Sequence, residues 1–157
     1  MKNFIILFLM LPLFSFGQEN SNCYAEKDFL IIQSTKDYKR ALQTAKKASI
    51  ELQIKLELRE LIPDKDTIIG LTLPSDICLK YISDSTCYIA RGRWDDGIYI
   101  SIEYSNAYLS FEKGFYIVMI GSGLKKDPNL IHSLKKVKTK YSDAFIKSSK
   151  VFMCCMH

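Results

Sequence analysis

An α+β fold, with two helices on one face of a largely antiparallel sheet, is predicted by three features of this 157-residue chain. Tyr38 to Leu52 and Leu130 to Tyr141 repeat apolar residues at spacings of three and four, the period of a half-buried helix. Short runs such as Phe29-Leu30-Ile31-Ile32 and Ile98 to Tyr104 are β-branched or alternate with polar residues, as strands do. Strand patterns flank each helical pattern, so the chain reads as two strand-helix-strand halves.

Residues 1–17 have the composition of a secretory signal peptide. Lys2 is followed by the apolar run Phe4 to Phe16, and Ser15-Phe16-Gly17 places small residues before a cleavage expected between Gly17 and Gln18. The run is shorter than the roughly 20 apolar residues of a membrane span. Residues 18–28 then form a polar mature N-terminus, and residues 29–157 read as a single α+β domain.

Within that domain, Phe29 to Gln33 is the first strand. Thr35 is the expected N-cap of the first helix, with Asp37 favouring its dipole. Ile54, Leu56 and Leu58 alternate with charged residues and predict a second strand ending near Pro63. An insertion is expected over about 64–113: a segment pinned by Cys78 and Cys87, with a helical turn at Pro74-Ser75-Asp76, then a hairpin of 87–93 and 98–104 closed by Trp94-Asp95-Asp96-Gly97. Gly114 to Gly121 is a further strand. Asp127-Pro128 opens the second helix, and residues 144–153 give a last strand, bulged at 147–150. This order predicts a two-layer sandwich of ferredoxin-like topology, in which the last strand runs antiparallel to the first. Cys154 or Cys155 then lies near Cys23.

All five cysteines follow the cleavage site, as expected where thiols pair. One is left over. The net charge of +5 is concentrated late, from Lys125 to Lys150, which suits an anionic envelope polymer or a solvated helix face. Export argues against a nucleic-acid partner, and no membrane span is expected in the mature chain.

The densest candidate site is Arg91, Arg93, Trp94, Asp95, Asp96 and Tyr99. Arginines two apart share a strand face, a tryptophan stacks on flat apolar surfaces such as sugar rings, and the carboxylates accept hydrogen bonds from hydroxyls. The same residues also make an ordinary hairpin, with the arginines paired to Glu103 or Glu57. Asp95, Asp96 and Glu103 resemble a glycosidase pair only in residue type. Cys154, Cys155, Met156 and His157 are soft metal ligands, but without a second cluster they read as disulfide residues. No catalytic set, metal site or cofactor is expected.

Phe115 to Gly123 (FYIVMIGSG), Tyr141 to Lys147 (YSDAFIK) and, more loosely, Leu30 to Leu42 (LIIQSTKDYKRAL) resemble the strand-turn and closing phrases of the SPOR domain, a sporulation-related repeat. Ser34-Thr35 and Ser122-Gly123 stand where that family carries Ser-Phe or Pro-Phe. The resemblance implies binding of peptidoglycan glycan or another cell-envelope component; with the signal peptide and the missing catalytic set, the expectation is an exported, periplasmic or extracellular, non-catalytic protein that binds through its sheet face and hairpin. The alternative is a secreted inhibitor or immunity-type protein that inserts the 91–99 hairpin into an enzyme.

Overall fold

A computed structural model describes residues 23–81 and 87–154. The predicted signal peptide, Asp84-Ser85-Thr86, Cys155, Met156 and His157 lie outside the described residues. The elements in chain order are β1 (Tyr24–Thr35), α1 (Tyr38–Leu52), β2 (Ile62–Pro63), β3 (Leu71–Thr72), α2 (Ser75–Tyr81), β4 (Gly97–Tyr104), β5 (Tyr116–Leu124), α3 (Pro128–Lys138) and β6 (Phe145–Phe152).

Four strands pair in the order β4-β5-β1-β6, with every neighbouring pair antiparallel. Renumbered by their order in the chain, these strands give 2-3-1-4, the ferredoxin-like order. The expected α+β two-layer arrangement is therefore present. Alternation along the strands sorts the side chains onto two faces. Leu30, Ile100, Ile102, Val118 and Ile120 form one core with α1 and α3. The buried stripe of α1 is Ala41, Ala45 and Ala48, small residues that let the helix lie close to the sheet. Gly121 serves the same purpose beneath α3, since a Cβ there would fall 2.7 Å from Leu130 Cδ2.

The opposite face is not open. Phe29, Ile31, Ile117 and Met119 are buried beneath Tyr108 and Phe111 of the β4–β5 connection. At β4 the same face carries Tyr99, Ser101 and Glu103, which meet the excursion between α1 and β4. Over Phe29, Ile31, Ile117 and Met119 the far face is therefore covered.

Several local expectations change. Asp37, not Thr35, is the N-cap of α1, its Oδ1 accepting from Lys39 N at 2.8 Å, while Thr35 Oγ1 accepts from Asp37 N. The predicted strand at 54–59 reduces to one parallel bridge between Leu56 and Ile100, because Arg59 and Glu60 turn into the left-handed region (φ 54° and 59°). Residues 87–93 form no strand, and Gly92 breaks the extension at φ 87°. β4 therefore joins the main sheet, and the inserted two-stranded hairpin is β2–β3. β6 pairs with β1 without a register shift from Phe152 to Phe145, and the irregularity falls between β1 and β5.

Two disulfides close the fold: Cys78–Cys87, with Cα atoms 5.5 Å apart, and Cys23–Cys154, at 5.0 Å. The antiparallel register of β1 on β6 places Cys23 beside Cys154. No helix among the described residues is long and apolar enough to cross a membrane.

Candidate functional site

The loop 91–96 hangs from one buried side chain. Arg91 Nε donates to Ser122 Oγ (3.2 Å), Nη1 to the Tyr99 carbonyl (2.8 Å) and Ser101 Oγ (2.9 Å), and Nη2 to the Gly97 carbonyl (2.8 Å). Its guanidinium also covers the Tyr99 ring at 3.6 Å. Burial lowers the pKa of Arg91, with the Tyr99 and Glu103 side chains opposing that shift. Because Arg91 is fully buried, it anchors the loop and does not reach a ligand.

Gly92 passes over the Phe29 ring, where a Cβ would come within 3.1 Å, and its N–H donates to Asp95 Oδ1 at 3.1 Å. Asp95 Oδ2 accepts from Tyr99 Oη at 2.7 Å and from Arg59 Nη1 at 3.3 Å. Asp96 is ion-paired to Lys27, itself buried on β1. Both carboxylates are therefore engaged, and the loop is tied down on each side.

Arg59 links the loop to the sheet. Its Nη1 donates to the Ile89 carbonyl at 2.9 Å and its Nη2 to Glu103, which also accepts from Tyr88 Oη at 2.7 Å. Burial is the largest single influence on the Arg59 guanidinium and pushes it down, but Glu103, with Tyr88, Asp95 and Tyr108 behind it, outweighs burial and the net direction is upward. Tyr88 and Tyr108 are held well above the usual phenol value, first by burial and then by the charge of Glu103.

On this anchored loop Trp94 stands 68% exposed. The Arg93 guanidinium lies 4.7 Å from the Trp94 ring and 5.3 Å from the Phe152 ring, and Arg93 Nη2 donates to the Cys154 carbonyl. Phe152 (37% exposed) packs edge-on against Tyr24 (40% exposed) with centroids 5.5 Å apart. The result is a row of Trp94, Arg93, Phe152 and Tyr24 ending at the Cys23–Cys154 disulfide. On the other side of Trp94 lies a cleft of about 260 Å³, walled by Leu61, Leu73, Cys87 and Ile89, with Arg59 and Asp95 at its polar edge.

Of the six residues expected to bind a ligand, Trp94, Asp95 and Asp96 gather at this rim, while the buried Arg91 and Arg93 and the partly buried Tyr99 act as supports. Arg59, Lys27, Phe152 and Tyr24 belong to the site but carry no linear motif. Only the β1–β6 register, in which Tyr24 faces Phe152, reveals the aromatic row. The arginine paired to Glu103 is Arg59, not Arg91 or Arg93. Cys154 is bound in a disulfide and so is no free thiolate ligand. No protein-family model matches the chain, and neither does any curated protein or solved structure.

Proposed function

We propose that this is an exported, non-catalytic binding protein of the SPOR type, and that it recognises peptidoglycan glycan or a similar envelope glycan along the row of Trp94, Arg93, Phe152 and Tyr24. The observation that carries this reading is Trp94: a large aromatic ring held exposed on a loop fixed by Arg91, Asp95 and Asp96. A preorganised aromatic surface offers stacking to the apolar faces of sugar rings at little ordering cost. Arg93, itself buried, lies against the Trp94 and Phe152 rings and holds them in line. The two disulfides support an oxidising compartment, as does the signal-like composition of residues 1–17.

A non-catalytic role is supported by the state of the acids. Asp95 and Asp96 are in ion pairs and Glu103 is buried against Arg59, so none is placed as a free proton donor or base. The second reading is an inhibitor or immunity-type protein, favoured by the apolar cleft beside Trp94, which suits a partner's side chain.

Sedimentation of the oxidised protein with purified peptidoglycan sacculi separates the two. Retention that falls at least tenfold in Trp94→Ala is the expected result. Wild-type protein left wholly in the supernatant would transfer the site to a protein partner.

A further inference from the structure

The charge of the chain is divided between its two sides. Residues 36–51 and 125–143, which hold α1, α3 and their ends, carry eleven Lys and Arg against four Asp and Glu. The rest of the chain after residue 17 carries ten against thirteen. Both helices pack on the same sheet face, so their basic residues lie on one side of the sheet, the side away from the buried Arg91 and Glu103.

The acids on this side are mostly committed. Asp37 and Asp127 cap the two helices, accepting from Lys39 N and Asn129 N, each at 2.8 Å. Glu51 accepts from Tyr141 Oη at 2.7 Å and faces Lys47 at 3.8 Å. Among the described residues, Lys39, Arg40, Lys46, Lys135, Lys136 and Lys138 have no carboxylate within ion-pair distance.

Exposed isoleucines sit within the same stripes. Ile50 is 80% exposed and follows Lys46 by four residues, and Ile131 is 45% exposed and precedes Lys135 by four. Residues four apart are neighbours on a helix surface. A soluble polyanion would be held by the lysines alone and leaves these isoleucines in water. A bilayer surface offers both anionic headgroups and an apolar boundary beneath them.

We propose that the outer surface of α1 and α3 is a docking face for an anionic phospholipid bilayer, with Ile50 and Ile131 entering the headgroup boundary. The Trp94 row is then free to hold its own ligand. This inference is independent of the glycan reading, since the two surfaces share no residue.

The test is vesicle sedimentation of the oxidised protein beginning at Gln18, because the apolar run before it would itself insert. Residues 23–81 and 87–154 form the body that carries these side chains. Vesicles of equimolar phosphatidylglycerol and phosphatidylcholine should retain the protein, and pure phosphatidylcholine vesicles should not. Retention should fall as salt shortens the screening length from about 10 Å at 0.1 M toward 3 Å at 1 M.

Lys135→Gln/Lys136→Gln/Lys138→Gln should weaken partitioning roughly a hundredfold, at about fivefold per lysine near the surface. Ile50→Ser/Ile131→Ser should weaken it severalfold while leaving capture by dextran sulfate unchanged. These are surface positions, and matching melting curves confirm folding. The proposal is overturned if wild-type protein ignores the anionic vesicles, if the triple variant binds them as well as wild type, or if the serine variant does. That last result would assign the face to a soluble polyanion. Trp94→Ala should bind the vesicles unchanged, whatever its effect on glycan retention.

Discussion

One nitrogen of Arg59, Nη2, donates to both carboxylate oxygens of Glu103, at 2.6 and 2.5 Å, across 44 residues of sequence. The pair joins the excursion between α1 and β4 to the covered face of the sheet, and it does so in a buried setting. Removing one partner from such a pair leaves the other charge uncompensated, at a cost of about 3–5 kcal/mol. Arg59→Met and Glu103→Gln are each expected to lose that much in urea unfolding. The double variant should lose less than the sum of the two by at least about 1 kcal/mol, since one deletion removes the reason for the other's cost.

Arg91 and Trp94 are three residues apart and opposite in role. Arg91→Met strands the carbonyls of Gly97 and Tyr99 without donors and is expected to cost about 2–6 kcal/mol, at about 1–3 kcal/mol for each buried acceptor left unsatisfied. Trp94→Ala removes an exposed ring and should shift stability by no more than about 0.5 kcal/mol. A comparison of urea midpoints distinguishes anchor from contact surface. If Trp94→Ala proved as damaging as Arg91→Met, the exposed ring would be structural and the binding site misplaced.

The helices and the four core strands were legible because their cause is local: apolar residues recur at the period of the element. Ile100 and Ile102 lie on the inner face of β4 as expected, with Ile98 left 39% exposed near its start, and Tyr99, Ser101 and Glu103 take the opposite face. Residues 54–59 and 87–93 also alternate in the manner of strands. What stops them is conformational: positive φ at Arg59, Glu60 and Gly92, and buried arginines whose acceptors lie far along the chain. Alternation marks a segment with two environments but does not distinguish a paired strand from a chain draped over a sheet. The site was half legible for the same reason. Trp94 and its neighbours are contiguous in sequence, whereas Phe152 and Tyr24 reach them only through the strand register.

The two disulfides close loops of very different length, with sequence separations of 131 and 9. Loop-closure entropy then assigns about 5 kcal/mol to Cys23–Cys154 and about 2.5 kcal/mol to Cys78–Cys87. Paired Cys→Ser substitutions measured by urea unfolding should reproduce that order. The long-range bridge also holds the Cys154 carbonyl that Arg93 donates to, so its removal should weaken ligand retention as well as stability. Equal losses from the two pairs would show that local geometry, and not loop closure, dominates.

Tyr88 and Tyr108 give the fold a defined alkaline limit. Burial, reinforced by the Glu103 carboxylate, raises both phenols well above their ordinary value. The unfolded chain loses these protons near pH 10, whereas the folded chain keeps them. A group with a raised folded pKa contributes its full stability below the unfolded pKa and loses it as pH rises toward the folded pKa. Stability should therefore hold level until pH nears 10 and then fall, the contribution of these two tyrosines steepening toward about 2.7 kcal/mol per pH unit, about 1.4 for each. Urea unfolding at a series of pH values through this window measures the slope directly, and Tyr108→Phe should reduce it by about 1.4 kcal/mol per unit. Ultraviolet titration of the folded protein should show these two phenols ionising only with unfolding. An unchanged slope in Tyr108→Phe would mean that water reaches the ring and that the roof over the sheet opens in solution.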